Sequence, residues 1–100
     1  MIKKREMVDE KVTKVVNAVL KERMERFGFQ RATVLVGQDH DGDPVLLIDA
    51  DYAYSSDPID VRATVGLVSA LRDALEDIGE FRFPHVRHHF DERQRTAKSA

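Results

Sequence analysis

The sequence of 100 residues contains no cysteine, which excludes a disulfide framework and a thiolate metal site. A chain without cysteine suits a reducing compartment, so we expect a cytoplasmic protein. The opening stretch MIKKRE is followed by further charges instead of the apolar segment of a secretory signal. The longest uncharged run, Ala63–Leu71, is far too short to span a bilayer, and we expect no membrane association.

Glycine is sparse, and no glycine-rich phosphate loop or dinucleotide fingerprint is present. The nearest glycine pair, Gly37 and Gly42, lies in a predicted hairpin. Ser55, Ser56 and Ser69 have no nucleophile elbow around them, so a Ser/His/Asp catalytic set is not supported. The sequence therefore predicts no cofactor, and it favours a protein that is not an enzyme.

Hydrophobic residues at 42% and charged residues at 34% are typical of a globular protein, and the length predicts one domain over residues 1–100. Residues 91–100 form a polar tail that we expect to fray. The net charge is only −2, yet residues 32–60 contain seven aspartates and no Lys or Arg. Such a segment either meets a basic partner or supplies turns and helix caps, and we favour turns and caps.

Apolar residues at steps of three and four predict a first helix over residues 5–27, with Gly28 after its end. Most of these positions are valine, whose branched side chain loses freedom in a helix, so packing on a sheet must stabilise this helix. The apolar positions are Val8, Val12, Val15, Val16, Val19, Leu20, Met24 and Phe27.

Two β-branched runs, residues 32–37 and 45–54, predict a hairpin whose turn contains Asp41-Gly42. In the second run Leu46, Ile48, Ala50, Tyr52 and Tyr54 share one face. The opposite face carries Asp49 and Asp51 and is predicted to be solvated.

A second helix is predicted from an N-cap at Asp57, with Pro58 as its first residue and Asp60 in its first turn, to about Ile78 before Gly79. Its apolar arc covers roughly half the circumference, more than a core-facing helix needs. The excess either touches the first helix or forms a contact between subunits. The arc consists of Val61, Val65, Leu67, Val68, Leu71, Leu75 and Ile78, extended by Ala63, Ala70 and Ala74.

Residues 81–90 predict a last strand, and Pro84 indicates an edge strand because proline cannot donate to a central ladder. Alternation then places His85, Arg87 and His89 on one face with Phe83.

The order α-β-β-α-β predicts an α+β fold, a three-stranded mixed sheet with two helices packed on one face. The other face is bare, so self-association or a protein partner is expected.

The hairpin sequence GQDHDGDP raises the possibility of a calcium loop, because Asp39, Asp41 and Asp43 alternate. An EF-hand needs glycine at position six and glutamate at position twelve, where counting from Asp39 finds Pro44 and Ala50. We therefore expect the aspartates to serve the turn. A zinc site on His85 and His89 is disfavoured, because Arg87 between them would repel a cation.

The element order is similar to the KH-type arrangement of ribosome-binding factor A and the BolA family. That resemblance implies an RNA-binding or ribosome-associated domain, which would use the basic first helix and the last strand. The GXXG loop of such domains is replaced by the acidic YSSDPID, and the isoelectric point is near 6.1. RNA binding is therefore expected to be weak, with dissociation constants no tighter than about 10⁻⁵ M.

The sequence favours a small interaction module, homodimeric or bound to another protein, over an RNA-binding domain and over a metal-dependent hydrolase. The candidate interaction surface combines the hairpin aspartates with charged positions of the last two strands. It consists of Asp39, Asp41, Asp43, Asp49, Asp51, His85, Arg87 and His89.

Overall fold

The computed structural model describes residues 8–57 and 61–91 and has the predicted order of elements. Two helices and three strands form one α+β unit, which confirms the predicted fold class. Neither helix among these residues has the length and apolarity of a membrane span. The elements are helix α1 (Glu10–Met24), strand β1 (Phe29–Gln38), strand β2 (Pro44–Tyr52), helix α2 (Val61–Asp77) and strand β3 (Phe83–His89).

Helix α1 begins at Glu10, because the Asp9 side chain caps it by accepting a hydrogen bond from the Lys11 amide at 3.0 Å. Residues 8 and 9, predicted to be helical, precede the helix, and the predicted start at residue 5 lies outside the described residues. A single 3-10 turn, Glu25–Phe27, follows the helix. Gly28 then takes the left-handed conformation with φ of 98°, as predicted, and leads directly into β1. Its carbonyl oxygen accepts a hydrogen bond from Ala53 at 2.8 Å, which ties this turn to the end of β2.

The sheet has the order β1-β2-β3, with β1 antiparallel and β3 parallel to β2. Strand β3 is therefore an edge strand, as Pro84 predicted. The hairpin turn depends on Asp39, whose carboxylate accepts hydrogen bonds from the amides of Asp41 and Asp43, each at 2.9 Å. Gly42 has a φ of 86°, which confirms the turn predicted from Asp-Gly.

Both helices pack on one face of the sheet, as predicted, and share a single core with it. The predicted apolar face of β2 is buried from Leu46 to Tyr52, while Tyr54 beyond the strand is exposed. The core consists of Val12, Val16, Leu20, Met24, Phe27, Ala32, Val34, Leu46, Ile48, Ala50, Tyr52, Leu67, Leu71 and Leu75.

Helix α2 ends in a Schellman arrangement, in which the amides of Gly79 and Glu80 donate to the carbonyls of Glu76 and Leu75. Gly79 has a positive φ, in agreement with its predicted place after the helix. The predicted helix start at Pro58 and Asp60 lies outside the described residues, as does the polar tail from residue 92 onward. Part of the wide apolar arc faces solvent, because Val61 and Val65 are 72% and 71% exposed.

Candidate interaction surface

Both described helices pack on one face of the sheet, and the opposite face is called the open face below. Strand pairing arranges its side chains in four rows that run across the three strands. From the hairpin outward, the rows are Gly37–Val45–Phe83, Leu35–Leu47–His85, Thr33–Asp49–Arg87 and Arg31–Asp51–His89.

The two rows far from the hairpin form the charged half of the open face, with Asp49 at its centre. Arg87 donates to both carboxylate oxygens of Asp49, from Nε at 3.0 Å and from Nη2 at 3.2 Å. His89 Nε2 lies 2.9 Å from Asp49 Oδ1. In the outermost row, Arg31 Nη2 lies 3.6 Å from Asp51 Oδ2. Each of the two aspartates is therefore matched by an arginine.

The Asp49 cluster holds its central carboxylate in the charged form. The hydrogen bond with His89 lowers the pKa of Asp49 below its ordinary value. Partial burial opposes this shift, and the hydrogen bond and charge of Arg87 reinforce it. Asp49 therefore remains an anion whose nearest cations belong to its own chain.

The two rows near the hairpin form the apolar half of the open face. Leu35 and Leu47 are half-buried, Phe83 is 41% exposed, and Val45 is buried beneath its neighbours. The rings of Phe83 and His85 meet edge to face, with centroids 5.2 Å apart. Between the hairpin and β3, the surface has a depression of about 360 Å³, with Val45 and Leu47 among its lining residues.

The open face unites five of the eight residues predicted from the sequence. Those five are Asp49, Asp51, His85, Arg87 and His89, and the three hairpin aspartates lie at the end of the sheet next to the apolar half. Asp39, His85 and Arg87 line the same depression. Within residues 8–57 and 61–91, no three histidine or acidic side chains converge as a metal-binding group.

The core side of the sheet carries a polar pair, Tyr52 on β2 and His88 on β3. The Tyr52 hydroxyl lies 2.8 Å from His88 Nδ1. Burial raises the pKa of Tyr52. Burial also lowers the pKa of His88, with a smaller contribution from the charge of His89. His88 is therefore kept neutral, while His89 on the opposite side of the strand faces the open face.

The sequence prediction did not include the apolar half of the open face among the candidate residues. Leu35, Leu47 and Phe83 were missed, because the prediction rested on charged and histidine side chains. The alternation of Thr33, Leu35 and Gly37 showed that these three residues share a face, but only the register between β1 and β2 places that face beside Asp49.

Comparisons with known proteins give one weak likeness. No family model matches the chain, and no match was found among curated proteins. A solved structure of CzrB in its zinc form, described as a zinc transporter, is similar over 88% of this chain and 92% of that chain. The identity is 15% and the TM-score is 0.46, and a likeness of this size does not bear on function.

Proposed function

We propose that this protein is a non-enzymatic interaction module that self-associates through the open face of its sheet. One observation carries the proposal: no described helix packs on the open face, which combines an apolar half with a charged half whose arginines and aspartates balance. Half-buried Leu35 and Leu47 and exposed Phe83 gain from leaving water, each by a part of the about 1.5–3 kcal/mol that full burial of such a side chain contributes.

Both edges of the sheet are poorly suited to strand addition, which favours contact through the face. On β1, the Asn17 side chain accepts from the Ala32 amide at 2.9 Å and donates to the Ala32 carbonyl at 3.1 Å. These two bonds occupy the outward groups that an added strand would need at that position. On β3, Pro84 has no amide hydrogen to offer.

The charge balance of the open face supports a second copy as the partner. Its two arginines and two aspartates cancel when histidine is neutral, so a strongly acidic or basic partner gains little from it. Arg87 already donates to the Asp49 carboxylate. Its pairing therefore gives no support to the alternative in which Arg87 binds an RNA phosphate. A two-fold dimer requires a self-complementary face, and a face whose charges balance meets its own copy without net repulsion.

Concentration-dependent methyl spectra test this proposal. We expect the methyl resonances of Leu35 and Leu47 to move as the protein is diluted from millimolar to micromolar concentration, because these side chains lose their contacts with the second copy. The Val61 and Val65 methyls on α2 provide the internal control and should stay in place, because α2 packs on the other side of the sheet.

Two results would count against the proposal. If no methyl resonance moves over this range, the protein does not self-associate at these concentrations. If the α2 methyls move and those of Leu35 and Leu47 do not, the contact lies on α2 instead of the open face.

A further inference from the structure

The open face is electrostatically asymmetric along its strands. At the hairpin end, Asp39, Asp41 and Asp43 have no cation within 4.0 Å among the described residues. At the opposite end, Asp49 and Asp51 each have an arginine beside them. The apolar half lies between the unpaired acidic hairpin and this ion-paired half.

Two identical sheets can meet face to face about a two-fold axis in two simple orientations. If the axis runs along β2, every residue of this strand faces its own equivalent. Asp49 then faces Asp49 of the second copy, Asp51 faces Asp51, and the two hairpins lie together. Like charges placed opposite each other disfavour an interface, and no cation of the described residues lies within 4.0 Å of the hairpin aspartates to compensate.

If the axis runs across the strands, the two hairpins lie at opposite ends of the dimer. An axis between the Leu35–Leu47–His85 row and the Gly37–Val45–Phe83 row brings apolar half onto apolar half. Leu47 of one copy then faces Val45 at the depression of the other. His85 faces Phe83 across the interface, which extends the aromatic contact that these two rings already make within one chain.

The charges also suit this second orientation. The hairpin of each copy lies opposite the ion-paired half of the other, so Asp41 approaches the row in which Arg31 already offsets Asp51. The two acidic hairpins are thereby kept apart, whereas an axis along β2 brings them together. The ion-paired half is not pressed against its own equivalent, and its carboxylates remain near the rim, where water still reaches them.

We infer that the protein forms an antiparallel face-to-face dimer, with its two-fold axis running across the strands at the apolar half of the open face. This inference rests on the proposed function, because it specifies the geometry of the same self-association. In this dimer the apolar rows form the centre of the interface, and the hairpin of each copy lies against the ion-paired half of the other copy.

The two orientations predict different distances from position 51 in β2 to position 41 and to position 51 of the second copy. With the axis across the strands near Leu46, position 51 lies close to position 41 of the second copy. The two copies of position 51 are then separated by ten residues of strand, about 34 Å. With the axis along β2, the two copies of position 51 are separated only by the spacing of packed sheets, about 10 Å.

Cysteine cross-linking can measure this difference, because the natural chain has no cysteine to compete. We would prepare Asp51→Cys and Asp41→Cys, with one of them labelled with ¹⁵N so that a mixed product has its own mass. A short bis-maleimide is then added to each variant alone and to their mixture. Lys14→Cys, on the exposed side of α1, serves as the control for chance collisions.

We expect the mixture to give a cross-linked heterodimer well above the Lys14→Cys background, and each variant alone to stay near that background. Efficient linking of Asp51→Cys to itself would overturn the inferred axis. A mixture that stays at background while sedimentation shows a dimer would also overturn it, and the proposed self-association would survive in both cases. A sedimentation result that shows only monomer removes the proposed function as well.

Discussion

Asp49 shows how the meaning of a charged residue depends on its neighbours in the fold. In the sequence it belongs to a run of aspartates without any cation. In the structure Arg87 and His89, close to 40 positions later, lie beside it. An apparently acidic segment thus contributes a surface on which charges balance, and this balance supports the proposal of a second copy of the chain as the partner.

Gly28 is the glycine at which a side chain should be least tolerated. Its φ of 98° disfavours any L residue, and an added Cβ would collide with the Ala53 carbonyl oxygen. We expect Gly28→Ala to lower the free energy of unfolding by at least about 2 kcal/mol, measured by urea denaturation. Gly42→Ala is the matched control, because Gly42 has a similar φ of 86° but open space around it. It should cost only about 1–2 kcal/mol, and equal losses for both variants would contradict the steric argument.

His88 should make the protein less stable in mild acid. Its lowered pKa means that the folded state keeps the ring neutral while the unfolded chain takes up a proton near the ordinary value of 6.5. Stability is therefore fully present above this value and falls as the pH drops through it toward the lower pKa of the folded state. Asp49 and Glu80, whose pKa values are also lowered, add a further loss only at the lower pH where carboxylates titrate.

The His88→Asn variant tests this effect, because an amide in place of Nδ1 can still bond the Tyr52 hydroxyl and does not titrate in this range. We expect the free energy of unfolding of the wild type, measured at pH 7.5 and at pH 5.5, to fall more steeply than that of the variant. Parallel pH profiles would show that His88 does not carry the acid sensitivity.

At the scale of elements, Asn17 links α1 to the edge of β1. Its side-chain amide pairs with both backbone groups of Ala32 in the way a neighbouring strand would, and it also donates to the Thr13 carbonyl at 2.9 Å. This contact both orients the helix and protects the strand edge.

Asn17→Ala should lower the free energy of unfolding by about 1–3 kcal/mol, because it leaves a partly buried amide and carbonyl without these partners. Chemical denaturation gives the value directly. Lys14→Ala, one turn earlier on the exposed side of α1, should change stability by no more than about 0.5 kcal/mol. A loss at position 17 that is no larger than the loss at position 14 would mean that the helix does not depend on this link.

The elements themselves were accessible from the sequence, because their signals are local. Periodicity indicated both helices, alternation indicated the buried side of β2, and the glycines at positions 28, 42 and 79 marked the turns. The first helix was predicted too long at its start, because the cap at Asp9 was not recognised.

The contacts between elements were not accessible in the same way. The pairing of Asp49 with Arg87 depends on the register between β2 and β3, and the bonds from Asn17 depend on where α1 meets β1. Tertiary packing fixes both, and no turn or spacing in the sequence encodes them. The same holds for the apolar half of the open face, which exists only when three strands place their leucines and aromatic rings side by side.

At the scale of the whole molecule, the helices bury one face of the sheet and leave the other without a described covering element. Within residues 8–57 and 61–91, the protected edges and the face without a helix leave an extended surface on which a second sheet can pack. Packed sheets lie about 10 Å apart, and their facing side chains fill the space between them. The apolar half of the open face supplies such side chains.

Sedimentation equilibrium of the wild type and of Leu35→Lys tests the open face as the contact surface most directly. We expect the wild type to approach twice 11.4 kDa at the concentrated end of the millimolar-to-micromolar range and the variant to remain near 11.4 kDa throughout, because a lysine in the apolar half places two like charges at the centre of the interface. Val65→Lys, at an exposed position of α2, should sediment as the wild type does, and circular dichroism should show that all three proteins are folded. A wild type that stays monomeric at high concentration, or a Leu35→Lys variant that dimerises like the wild type, would contradict the account.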